Sequence, residues 1–151
     1  MKVAVTGSSG LIGSSLVSYL SKKDIVVSKI LRENPEDDDI FWKPEDGDWN
    51  STFTGGVDGI IHLAGENIAS GKWTRKKKEK IRNSRIEGTT RLCEHILKLP
   101  TPPSVLVCAS AIGYYGNRGV EFLNEGSSRG SGFLPDVCLG WEEATESVSK
   151  A

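Results

Sequence analysis

No stretch of this chain approaches the roughly 18 consecutive apolar residues of a membrane-spanning helix. The N-terminus enters a β-branched run directly, without the charged segment and apolar core of a secretory signal. A cytoplasmic location is the expectation. Cysteine is scarce: Cys93, Cys108 and Cys138 are odd in number, widely separated and not at metal-ligand spacing, which points to reduced, packed thiols and no metal site. Net charge is scarce too, −1 over 151 residues, and gives no ground for nucleic acid or an anionic membrane as a partner. Internal repeats and low-complexity segments are also missing. What remains, 37% hydrophobic and 26% charged, is the balance of a globular chain of one-domain length.

Glycine is where the sequence becomes specific. Val3-Ala4-Val5 runs into Thr6-Gly7-Ser8-Ser9-Gly10-Leu11-Ile12-Gly13, and the apolar positions Leu16, Val17 and Leu20 then recur at helical spacing. The reading is strand, glycine turn, helix. Gly7 turns the chain sharply off the strand, Gly10 lets backbone approach a pyrophosphate, and Gly13 lets the helix pack tightly on the sheet. The helix N-terminus then offers bare N–H groups and partial positive charge to the anion. A small-molecule dinucleotide is the expected ligand, and the alternative is an ordinary βα turn.

Ile25 to Leu31 forms a second strand leading to Arg32. In such a unit an acidic residue takes the ribose 2′-hydroxyl of NAD, whereas arginine suits the 2′-phosphate of NADP. Arg32 therefore favours NADP(H) over NAD, unless it is a solvated residue at a strand end. Asn34 to Gly56 reads as a polar excursion carrying one short strand at Ile40-Phe41-Trp42. Its acidic run, Glu36 to Asp39, is either a cation site or a solvated loop, and a cation site needs convergent oxygens from several places. Val57 to Leu63 is a buried-type strand running into Ala64-Gly65-Glu66-Asn67, where small residues let backbone approach the ribose. His62 is read as a satisfied strand histidine.

A long amphipathic helix follows within Gly71 to Lys98, with Ile81, Ile86, Leu92, Ile96 and Leu97 as core positions. The cluster Arg75 to Lys80 is read as a solvated face in preference to an anion patch. Ser104 to Ala109 is another strand, Ser110 to Gly116 follows its C-terminal end, and Phe133 to Lys150 reads as a final helix. The pattern gives one doubly wound parallel sheet in the order 3-2-1-4-5, with helical crossovers.

Thr6 to Gly13, Arg32, His62 to Asn67, Ser110 to Gly116, Trp73 and Ile81-Arg82-Asn83-Ser84-Arg85 together resemble the short-chain dehydrogenase/reductase superfamily. The likeness is to its atypical branch of epimerase family proteins, described as nucleoside-sugar epimerases, some with a cell-division-inhibitor label. It implies an NAD(P)-binding Rossmann domain over residues 1–151, as the N-terminal part of a longer pattern whose C-terminal substrate lobe is absent here. It also implies a nucleotide-sugar or carbonyl substrate, and an oligomeric state left open. The cofactor contacts so implied are Thr6, Gly7, Ser9, Gly10, Leu11, Ile12, Gly13, Arg32, Leu63, Ala64, Gly65, Glu66, Arg85 and Ser110. Ser110, Tyr114 and Tyr115 are the catalytic candidates, against plain roles as a strand cap and aromatic packing.

The superfamily relies on a tyrosine activated by a lysine four residues on, and on a serine hydroxyl. No Tyr-x-x-x-Lys occurs in this sequence. Ala111 falls at the serine position beside Ser110, Trp141 near the tyrosine, Thr145 at the lysine and Arg85 at an asparagine. A non-catalytic NADP-binding protein is therefore the alternative to an oxidoreductase or epimerase.

Overall fold

Alternating β-branched residues make short strands that need both faces covered, and the order in which they pair decides where a ligand can enter. The structure is a computed structural model and describes residues 1–45, 48, 49, 53 and 55–149. Its strands are β1 (Lys2–Thr6), β2 (Val26–Leu31), β3 (Ile40–Lys43), β4 (Asp48–Trp49), β5 (Gly59–His62) and β6 (Val105–Cys108). The helices are α1 (Leu11–Ser21), α2 (Arg75–Ile96), α3 (Phe133–Glu143) and a short α4 (Glu146–Ser149).

One sheet has the order β4-β3-β2-β1-β5-β6. Its five strands other than β4 are parallel and reproduce the expected 3-2-1-4-5 arrangement. β4 is an addition: two residues pair antiparallel with β3 at the sheet edge, too short to leave an alternation signal in a polar excursion. The crossovers also depart from expectation in one place. Helices α1 and α2 join β1 to β2 and β5 to β6, but β2 reaches β3 through a loop over residues 32–39. Pro35 lies in that loop, and Asn34 takes a left-handed φ of 48°. The acidic run ends there in a local turn. Lys29 N–H donates to Asp39 Oδ1 at 3.2 Å and Glu36 N–H to Asp39 Oδ2 at 3.3 Å.

Register puts Ala4 beside Ile60 and Thr6 beside His62 on one face of the sheet. Ala4, Ile30, Ile40, Trp42 and Ile60 meet Leu92 and Ile96 of α2 in the core. Of the helix positions expected there, Ile81 is also buried and Ile86 half-buried, while Leu97 falls past the last turn and is exposed. Ile60→Val removes one methylene from a fully buried site, and an expected loss of about 0.5–1.5 kcal/mol can be read by chemical denaturation. The final helix breaks after Glu143, where the Thr145 hydroxyl donates to the Glu142 carbonyl at 2.7 Å and competes with the backbone ladder. The expected helix ended at Lys150, which lies outside the described residues. All three cysteines are free, with Cys93 and Cys138 buried, and burial pushes the Cys93 and Cys108 thiols up to about 11.

The chain leaves β1 toward β2 and β3 on one side, then returns to the other side of β1 to place β5. The connections that leave the C-terminal ends of β1 and β5 therefore run to opposite sides and open a crevice there, the position where open α/β sheets take their ligands.

Candidate functional site

The floor of the crevice is two turns pressed backbone to backbone. Gly7 has φ +66°, and a Cβ there would lie 2.8 Å from the Leu63 carbonyl carbon and 2.9 Å from Ala64 N. Glycine is thus required both for the turn and for the contact between the loops after β1 and β5. Gly13, in the first turns of α1, would bring a Cβ to 2.1 Å from Gly7 O. Gly10 precedes helix α1 and gives it no side-chain cap, and the first turn of the helix holds no acidic residue, so its N-terminal N–H groups remain available to an anion. Ser8 is buried and its hydroxyl finds no hydrogen-bond partner among the described residues.

Thr6, at the end of β1, fastens the two turns. Its Oγ1 accepts from Leu63 N–H at 3.0 Å and Ala64 N–H at 3.1 Å, and lies 2.7 Å from His62 Nδ1. His62 is fully buried, with Nε2 at 3.1 Å from Thr89 Oγ1 on α2. Burial lowers its pKa to about 4, so the ring is neutral at physiological pH. It is the satisfied strand histidine that the sequence implies.

The β5 loop is held from α2. Glu66 N–H donates to Ser84 Oγ at 2.9 Å, and Arg85 Nη1 donates to Glu66 O at 3.1 Å and Ile81 O at 3.3 Å. The Arg85 guanidinium stacks 5.1 Å over the Trp141 ring. Lys77 Nζ reaches Glu66 Oε1 at 2.6 Å and Ser70 Oγ at 3.0 Å. That hydrogen bond from Lys77 holds the Glu66 carboxyl below the usual carboxylate range.

Above the floor opens a cavity of about 810 Å³, within the range of small-molecule sites. Of the expected contacts, Thr6, Gly7, Ser9, Gly10, Arg32, Leu63, Ala64, Gly65 and Glu66 line it. Gly13 lies behind the loop, Leu11 and Ile12 are exposed, and Arg85 braces the Glu66 loop from the side. Ser110, Tyr114 and Tyr115 stand outside this lining: Ser110 Oγ donates to the Glu142 carboxylate, and the tyrosine rings meet edge to face at 5.3 Å.

One wall of the cavity is not evident from the sequence. Lys76, Lys80, Asn83, Ser84, Glu87, Gly88 and Arg91 form a stripe along α2 facing the crevice, with Trp42 opposite in the lining. Their spacing of three and four residues was the available signal. The basic cluster is accordingly no simple solvated face. Lys76 and Lys80 line the cavity, Lys77 pairs with Glu66, and Lys78 lies 5.4 Å from the Phe133 ring centre. Arg91 Nη1 donates to Pro44 O and, at 2.8 Å, to Glu45 O, strapping the loop after β3 onto α2. Arg32 Nη1 lies 3.4 Å from Glu45 Oε1 across the outer rim. Among the described residues the lining carries four cations (Arg32, Lys76, Lys80, Arg91) against four carboxylates (Glu45, Glu66, Glu79, Glu87), so local placement governs which anion fits there. A glycine floor that a Cβ would fill, bare helix N–H groups and an arginine at the rim suit a dinucleotide phosphate chain.

The profile of the NAD dependent epimerase/dehydratase family matches residues 3–130. An epimerase family protein of Mycobacterium bovis is 37% identical over 99% of this chain and 49% of its own length. A nucleoside-diphosphate sugar epimerase from Corynebacterium glutamicum superimposes with a TM-score of 0.83 at 36% identity, covering 99% of this chain and 31% of that one. A human epimerase family protein, solved with NADPH, gives a TM-score of 0.83 at 29% identity, covering 96% of this chain and 48% of that one. The chain thus spans about half the length of the curated relatives it matches. No helix among the described residues is long and apolar enough to cross a membrane. With the glycine floor, the parallel sheet order and the family profile in agreement, the chain belongs to the NAD dependent epimerase/dehydratase family.

Proposed function

We propose that this chain binds NADP(H) in the crevice and provides the cofactor half of an epimerase-like oxidoreductase acting on a nucleoside sugar or related carbonyl compound. The observation that carries the reading is Arg32, at the end of β2 on the same cavity as the glycine turn. Arginine at that position suits a 2′-phosphate, and a carboxylate would suit the free ribose. Arg32 is 70% exposed and its pair with Glu45 is at the surface, so the pair contributes at most about 1 kcal/mol and a phosphate can displace it. The NADPH bound to the human relative and the sugar-nucleotide name of the Corynebacterium relative support the same assignment.

In this reading the amides around Gly7 and Gly10 hold the pyrophosphate, Leu63 to Glu66 flank the ribose, and Arg32, with Lys76 and Lys80 nearby, holds the 2′-phosphate. A bound nicotinamide supplies hydride donation or acceptance. Ser110, Tyr114 and Tyr115 are the hydroxyls offered for the accompanying proton. A second reading, NADP binding without turnover, is favoured by the commitment of Ser110 Oγ to Glu142 and by the absence of Tyr-x-x-x-Lys.

Calorimetry with NADPH and NADH tests the cofactor. Arg32→Asp is expected to weaken NADPH by roughly tenfold to a hundredfold while leaving or improving NADH, because a charge-assisted contact to phosphate is exchanged for an acceptor of the ribose hydroxyl. Equal, unchanged affinities would reduce Arg32 to a surface residue. NADPH oxidation lost on Tyr115→Phe would select the enzyme, and tight binding without turnover would select the second reading.

A further inference from the structure

The buried line Thr6–His62–Thr89 has one consistent arrangement of protons. A threonine hydroxyl has one proton and two lone pairs. Leu63 N–H and Ala64 N–H both donate to Thr6 Oγ1, at 3.0 and 3.1 Å, and occupy both lone pairs. The Thr6 proton must then go to the remaining close neighbour, His62 Nδ1 at 2.7 Å. With Nδ1 accepting, the neutral ring carries its proton on Nε2 and donates it to Thr89 Oγ1 at 3.1 Å.

We infer that His62 is a positioning residue for the dinucleotide crevice, acting as its Nε2–H tautomer. By accepting the Thr6 O–H hydrogen bond at Nδ1 it leaves both lone pairs of the Thr6 hydroxyl to the two amides, which clamps the β5 turn against the glycine turn, and through Thr89 it anchors that clamp to α2. The reverse tautomer would aim an N–H at Thr6, whose oxygen would then face three donors with its own proton unplaced. An apolar replacement would leave the Thr6 proton free to rotate and compete with the two amides. The inference rests on the crevice being the cofactor site, but its direct readout does not.

In the ring-¹⁵N-labelled chain, long-range ¹H–¹⁵N correlation should give a bare Nδ1 and a protonated Nε2. His62→Leu is expected to speed amide exchange at Leu63 and Ala64 and to weaken NADPH by about tenfold or more. His62→Asn, whose Oδ1 can stand in for Nδ1, is expected to restore both to within about threefold of the parent. Should His62→Leu fail to fold, the near-isosteric Thr6→Val serves in its place, with the same losses expected. A ring protonated on Nδ1, or parental amide exchange in the Leu and Val variants, would overturn the inference. If the parent chain bound no NADPH, the cofactor reading would fall, while the ring signature and the two amides would still decide this one.

Discussion

Gly13→Ala is expected to eliminate measurable NADPH binding and to lower stability by about 1–3 kcal/mol, although it adds a single methyl group. The Cβ would stand 2.1 Å from Gly7 O and 2.8 Å from Ser8 Cα. Both are backbone atoms, so no side-chain rotation relieves the clash. Either α1 shifts away from the turn or the turn shifts away from the Leu63–Ala64 backbone, and either movement misdirects the helix N–H groups. Gly13→Asp adds a charge effect: a carboxylate in the first turn is favoured by the helix dipole and would compete with the ligand anion. Gly10→Ala supplies the graded control. Its Cβ would meet Gly7 O at 3.2 Å, which a shift of a few tenths of an ångström can relieve, so a much smaller loss is expected. Calorimetric titration of the three variants with NADPH should rank Gly10→Ala well above the other two. Parental affinity in Gly13→Ala would detach the glycine turn from the cofactor.

How far the sequence reveals this site depends on the kind of signal each residue leaves. Gly7 and Gly13 are legible because their spacing follows from a strand, a turn and a helix that must touch. The order of the five parallel strands is legible for a related reason, since crossovers of fixed hand between parallel strands allow few arrangements, even where, as between β2 and β3, a loop replaces the helix. His62 is legible by elimination: a histidine within an apolar strand, with no nucleophile or metal ligand near it in sequence, has to be satisfied by neighbours. Lys76, Lys80 and Arg91 leave an ambiguous mark. A polar stripe on a helix has the same period whether it faces water or a ligand crevice, and the choice depends on the loop after β3, which Arg91 pins in place. Arg85 is a different case. Its place in the family pattern marks it as a cofactor contact, but its guanidinium is engaged with Glu66 O, Ile81 O and the Trp141 ring. β4 and the break after Glu143 each rest on very local hydrogen bonds, below the length at which a hydrophobic period forms.

The wiring of His62 also has a consequence for pH. Burial lowers its pKa from 6.5 to about 4 in the folded chain, and the unfolded chain keeps the ordinary value. Between those two pH values the unfolded state binds more protons than the folded one, so stability rises with pH across the window. The histidine's cost is absent above about pH 6.5 and grows as the pH falls toward 4, reaching about 3 kcal/mol. His95 has a lowered pKa as well, from burial first and from Lys98 second, and adds in the same direction. Glu66, held low by Lys77, begins to lose its own contribution only as the pH falls below the ordinary carboxylate value. The His62 part is therefore isolated by difference. Urea denaturation from pH 7.5 to 4.5 should give a steeper decline for the parent chain than for His62→Asn, which keeps an acceptor for Thr6 but does not titrate. The gap between the curves should change by about 2 to 3 kcal/mol over that range. Parallel curves would mean that the ring takes up its proton in the folded state, and the neutral Thr6–His62–Thr89 line would have to be abandoned.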